Sequence, residues 1–149
     1  MAYDQVRDVL DRARRFHHES SERFAQLREE TGDERMRLIL DYLGQRAQAL
    51  ESQIAEYERA AAPTLLDAWV TFAPAARLNE ELAQIRVPPG ATVPELVRAA
   101  LRVDEGLLHL YREAARQAPN EDVREVFIRL LAEGEQELSR LVQAVFEMD

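Results

Sequence analysis

Along the first thirty residues the inward-type positions are Tyr3, Val6, Leu10, Ala13, His17, Ser20, Phe24 and Leu27. Steps that alternate between three and four draw one stripe down a helix. The same rhythm returns three times. Met36, Leu40, Leu43, Ala47, Leu50, Ile54 and Tyr57 mark a second helix, and Val97, Ala100, Asp104, Leu107, Tyr111, Ala114 and Ala118 a third. Ile128, Leu131, Glu135, Leu138, Val142 and Val145 mark a fourth. The breaks between stripes carry turn chemistry. Thr31-Gly32 suits a left-handed C-terminal cap, and Asp33 an N-cap. Thr92 and Glu95 have the spacing of a capping box, and Pro119-Asn120 ends one helix and caps the next. The expectation is helices over 3–30, 33–60, 93–118 and 121–148, each about 40 Å long. They form two tight hairpins, residues 3–60 and 93–148.

Residues 62–91 join the hairpins. Five of the six prolines fall here or at its edge, with the only tryptophan, Trp69. A connection of this length can run along the helices. Pro63 to Phe72 is expected to include a short helix with Leu65, Leu66, Trp69 and Phe72 on one apolar side. Exposed aromatic patches mark interfaces, so these four residues are the expected contact of a homodimer.

Composition narrows the function classes. A chain of 149 residues is the size of one domain with one core. Net charge is −9, and all 19 basic residues are arginine. That balance argues against nucleic acid or an anionic membrane as partner, because phosphate binding needs a basic face. Without cysteine there are no disulfides, thiolate metal ligands or cysteine nucleophiles. The first residues lack an apolar signal segment, and no apolar run reaches the length of a membrane span. A cytoplasmic protein is expected.

The hairpins also resemble each other. Aligning "SSERFAQLREETGDERMRLILDYLGQRAQAL" with "LLHLYREAARQAPNEDVREVFIRLLAEGEQEL" brings Phe24 onto Tyr111 and Leu50 onto Leu138, with one gap in the turn. "DEGLLHLYREAARQA", followed after a short turn by "VREVFIRLLAEGEQELSRLV", resembles the rubrerythrin-like branch of the ferritin-like superfamily. The resemblance covers both hairpins. It implies an all-α, ferritin-like four-helix bundle over residues 1–149: two antiparallel hairpins and a long crossover. It also implies a di-iron centre, with a carboxylate seven residues before a Tyr and a Glu-x-x-His on the following helix, repeated in each hairpin.

Residue by residue, that ligand set is degenerate. Asp104 stands seven before Tyr111, and His17 seven before Phe24, where the family has Glu. Glu135 matches the family's Glu on the fourth helix, but Leu138 replaces its His. On the second helix Ala47 and Leu50 replace the Glu and the His. Two carboxylates and one histidine remain, beside three carbon side chains. His17, Asp104 and Glu135 are expected inside the bundle at matching depth. They form either a polar network, in which a protonated His17 pairs the acids, or a mononuclear site for iron, manganese or zinc. The resemblance therefore implies a bundle that has lost its di-iron site, with no catalytic residue and no cofactor, serving as a structural or interaction module. The alternative is a metal-dependent oxidase, peroxidase or iron-binding protein with a reduced ligand set. His18 with Glu22, and Glu105 with His109, are either surface pairs four residues apart or cross-helix pairs in a bundle of two-fold symmetry.

Overall fold

The computed structural model describes residues 2–72, 80 and 83–148. Its elements, in chain order, are β1 (Ala2–Gln5), α1 (Val6–Glu30), α2 (Glu34–Ala60), α3 (Pro63–Leu66), β2 (Trp69–Phe72), α4 (Val93–Arg116) and α5 (Glu121–Met148). The class is all-α, with one two-stranded sheet added at an end. No helix among the described residues is long and apolar enough to cross a membrane.

The long helices form where the apolar rhythm places them, and their ends follow side-chain chemistry. The Asp33 carboxylate accepts from the backbone N–H of Arg35 at 2.9 Å and of Met36 at 3.4 Å, which starts α2. Thr92 Oγ1 accepts from Glu95 N–H at 3.3 Å, and Asn120 Oδ1 from Val123 N–H at 3.0 Å, which start α4 and α5. Gly32 departs from expectation. Among the described residues only Gly90, at φ 82°, takes a positive φ. The chain leaves α1 through an extended Thr31 instead.

α1 and α2 run antiparallel. Their ionic contacts step from Arg28–Asp41 (2.6 Å) beside the turn, through His18–Glu51 (3.3 Å), to Arg14–Glu58 (3.8 Å) near the far end. α4 and α5 form the second hairpin, with Tyr111 and Phe127 in ring contact at 6.5 Å. All four helices feed one core. Leu10, Leu27, Met36, Leu40, Leu43, Phe127 and Leu141 are each under 2% exposed within it.

The sheet corrects the reading at the chain's start and in the crossover. Residues 3–5 are strand rather than helix. β1 pairs antiparallel with β2, Ala2 opposite Phe72 and Gln5 opposite Trp69. Val6 N–H donates to the Ala68 carbonyl at 2.9 Å, so the backbone that would have begun the helix early is spent on the crossover. The expected short helix stops at Leu66. "WVTF" then extends, as β-branched and aromatic residues favour. The expected apolar patch is thereby divided: Leu66 is a core residue, Leu65 is half-buried, Trp69 is 60% exposed on the outer face, and the Phe72 side chain lies outside those described. Farther along, the Arg23 guanidinium donates to the Ile85 carbonyl. Val6 and Arg23 lie about 25 Å apart on α1, so the crossover touches this helix near both ends.

Candidate functional site

The last helix decides which sequence candidates come together. The expected stripe on α5 included Ile128, Glu135 and Val142. The core positions are instead Val123, Val126, Phe127, Leu130 and Leu141. Ile128 is 49% exposed and Val142 is 40% exposed. One position on a helix is a turn of about 100°. That turn carries Glu135 outward, where it lies exposed with its carboxylate 3.6 Å from the Arg112 guanidinium. Gly134 faces inward in its place, toward Leu108. The expected trio is therefore a pair: His17 and Asp104 line a common cavity, and Glu135 does not.

That cavity, of about 500 Å³, lies in the middle of the four helices. α1 contributes His17, α2 Arg46, Leu50 and Ile54, α4 Asp104, Leu107 and Tyr111, and α5 Gly134 and Leu138. Exposed or half-buried Gln53, Arg129, Glu133 and Glu137 also line it, so it reaches the surface. The central contact is between α2 and α4. Arg46 Nη1 donates to Asp104 Oδ2 at 2.6 Å, and the two side chains are only 9% and 16% exposed. Asp104 thus pairs with Arg46, not with His17 as the network reading required.

Electrostatics follow from that geometry. Burial raises the Asp104 pKa, and the Arg46 charge and hydrogen bond oppose the rise. Burial pushes His17 down to about 3, and the nearby Arg46 charge pushes the same way. His17 is therefore a neutral imidazole at physiological pH. It is 6% exposed, meets Phe16 edge-on at 5.3 Å, and has no hydrogen-bond partner among the described residues. Burial, then the charges of Asp104 and Glu133, raise the Tyr111 pKa, so the phenol stays protonated. Its hydroxyl and Arg46 Nε are buried without hydrogen-bond partners among the described residues.

These residues do not fit the metals that the resemblance implies. One imidazole remains, together with one carboxylate that a guanidinium already occupies. Ala47 is buried, and Leu50 and Leu138 line the cavity with carbon. Among the described residues no three histidine, aspartate or glutamate side chains gather as a ligand group.

Arg46 is the cavity side chain that the sequence pattern does not point to. It stands one position before Ala47, on the flank of the α2 stripe, where a charged residue reads as solvated. The available signal was Asp104 itself: a carboxylate on a core stripe needs a cation, and arginine is the cation best suited to a buried pair. The smaller candidates resolve differently. His18 meets Glu22 at 2.9 Å and Glu51 at 3.3 Å, so it bridges α1 and α2 at the surface rather than pairing with Glu105. Glu51, by hydrogen bond and charge, raises the His18 pKa, with Glu22 adding to it. No protein-family model, curated protein or solved structure matches this chain.

Proposed function

We propose that this chain is a ferritin-like four-helix bundle that has lost its di-iron site and acts as a non-catalytic interaction module. The observation that carries the reading is the Arg46–Asp104 contact at 2.6 Å. A fixed guanidinium lies against the one carboxylate that a metal in this cavity would need. Its charge balances that acid without a metal and repels an incoming cation. The remaining family ligand positions support the same reading, because Ala47, Leu50 and Leu138 pack without polar partners. The test is a thermal-shift titration of the full chain with ferrous iron, manganese and zinc. A ligand of the native state raises stability only if it binds, so no metal is expected to stabilise the protein. A rise of several degrees at micromolar metal, lost in Asp104→Asn, would overturn the reading.

The partner we propose is a second copy of this chain, meeting at the outer face of the β1–β2 sheet around Trp69. A 60% exposed tryptophan on a short sheet supports an interface there, and two-fold pairing is the commonest symmetry of homo-oligomers. Trp69→Glu should shift the sedimenting species toward monomer while circular dichroism stays unchanged. An unchanged sedimentation coefficient would assign Trp69 to covering its own chain.

A further inference from the structure

The geometry points to a second use of the central cavity: a binding site for an uncharged organic molecule with an apolar body and a hydroxyl head, held by the His17 imidazole. The inference rests on the metal-free reading of the cavity. A volume of about 500 Å³ lies within the range of small-molecule sites. Such sites pair apolar walls with a few convergent polar groups. Here Leu50, Ile54, Leu107 and Leu138 supply the walls.

His17 supplies the recognition. It is 94% buried by its 6% exposure, it lines the cavity, and it is unpartnered among the described residues. Its ring nitrogens are not among the sealed, unpartnered atoms of the core, so they stay open to the cavity and to whatever fills it. A neutral imidazole carries one N–H donor and one bare nitrogen acceptor. A hydroxyl both donates and accepts, so it complements either ring tautomer. A ketone oxygen or an indole N–H complements only one.

Charge selects against ions. Arg46 and Asp104 cancel each other at 2.6 Å, and His17 is neutral, so the floor carries no net charge. An ammonium would approach Arg46 and a carboxylate would approach Asp104. Either loses its water without gaining a free counter-charge. An uncharged hydroxyl loses little and satisfies His17. The opening beside Gln53, Arg129 and Glu133 gives the molecule its way in.

The probes are p-cresol, toluene and 4-methylbenzoate, titrated into the full chain at pH 7 by calorimetry. They share a tolyl body and differ in the head. Saturable binding of p-cresol is expected, with toluene roughly fivefold weaker for one lost hydrogen bond. The benzoate should be weaker than toluene. His17→Phe keeps the ring and removes its nitrogens, so it should bring p-cresol and toluene to equal affinity. In the unaltered protein, p-cresol should shift the His17 ring nitrogens in long-range proton–nitrogen spectra, a readout independent of how any variant folds. Leu138→Trp should fill the cavity and weaken all three probes. Absence of p-cresol binding, tighter binding of the benzoate, or unshifted His17 nitrogens at saturation would each overturn the site. Those failures leave the metal reading untouched, because it is judged by the metal titration on protein without probe.

Discussion

α2 keeps its large apolar side chains inside except for Leu38, whereas α5 leaves Ile128, Val142 and Phe146 exposed. The seams differ as well. α1 and α2 are stitched by Arg28–Asp41, His18–Glu51 and Arg14–Glu58, while the one ionic contact between α4 and α5 among the described residues is Arg112–Glu135 at 3.6 Å. The first hairpin thus has a single buried face and a charged edge that fixes its register. The second is apolar on more than one face and carries the inward glycine, Gly134. Both hairpins line the cavity, the first with His17, Arg46, Leu50 and Ile54 and the second with Asp104, Leu107, Gly134 and Leu138. Arg46 and Asp104 join the halves.

The largest expected effect comes from cutting that joint. Arg46→Leu removes one member of a buried pair and leaves Asp104 uncompensated, which should cost about 3–5 kcal/mol in denaturant unfolding. Arg46→Leu combined with Asp104→Leu should recover most of the loss, because an apolar pair of similar volume is often no worse than a buried ion pair. The pH dependence has a definite sign. Burial already raises the Asp104 pKa, and losing Arg46 removes what opposes the rise. A group whose folded pKa is raised contributes stability that is lost as pH rises. The Arg46→Leu deficit should therefore be smaller at pH 5 than at pH 8. An equal deficit at both would mean that the contact joins the hairpins by shape rather than charge.

Next in size is the contrast between the two helix faces. Leu40→Ala, in the fully buried stripe of α2, should cost about 2–5 kcal/mol. Ile128→Ala, on the exposed face of α5, should stay within about 0.5 kcal/mol. A loss at Ile128 approaching that at Leu40, and dependent on protein concentration, would show that a partner covers this face.

A smaller effect belongs to the first hairpin's seam. Burial, then its hydrogen bond and repulsion with Asp11, pushes the Glu58 carboxyl up from its ordinary 4.5 to about 7, against the pull of Arg14 and Arg7. The His18 pKa is also raised. For both groups the folded state holds its proton more tightly. Their contribution is complete below the unfolded pKa and fades as pH rises through the folded one. For Glu58 that window runs from about pH 4.5 to about 7. Melting temperature should fall across it, and Glu58→Gln should flatten the fall. The gain at pH 8 should be about 1 kcal/mol at most, since solvent screens a partly exposed group. A Glu58→Gln profile that overlays the parent would remove this seam as a source of pH sensitivity.

Legibility follows the same division. In α1, α2 and α4 a charged face lies opposite one apolar stripe, so periodicity names the buried residues nearly position by position. In α5 the run "VFIRLL" offers Val126, Phe127, Ile128, Leu130 and Leu131 to two adjacent faces. Periodicity then permits two rotations, and the one that turns Glu135 inward is not the one the helix adopts. The sheet escaped for another reason. Its strands are four residues each, and their pairing joins Gln5 to Trp69 across the whole first hairpin. No local pattern encodes that contact. The candidate site was legible at His17 and Asp104, which sit on unambiguous stripes. Arg46 was not, because a long side chain on the stripe's edge can turn inward or outward, and only Asp104 across the interface decides which.

The finest comparison sets the helical glycines of the two hairpins side by side. Both lie within helices, where alanine is favoured by about 0.5–1 kcal/mol. At Gly44 in α2 an added Cβ would meet only Phe24 Cβ, at 4.0 Å. Gly44→Ala should therefore yield most of that gain. At Gly134 in α5 the added Cβ would fall 2.3 Å from Leu108 Cδ2, so Leu108 must move. The obstructing atom is the tip of a flexible side chain, and Leu108 itself lines the central cavity. Turning that methyl into the cavity relieves the overlap at the cost of an altered rotamer, about 0.5–1.5 kcal/mol if it settles off a staggered well. Gain and cost are of one size, so Gly134→Ala should leave stability almost unchanged while reducing the cavity. Denaturant unfolding of the two variants gives the first half of this comparison, and p-cresol titration gives the second. A clear gain at Gly134 with undiminished p-cresol affinity would mean that α5 shifts as a whole to admit the methyl group, and that the second hairpin is looser than its packing implies.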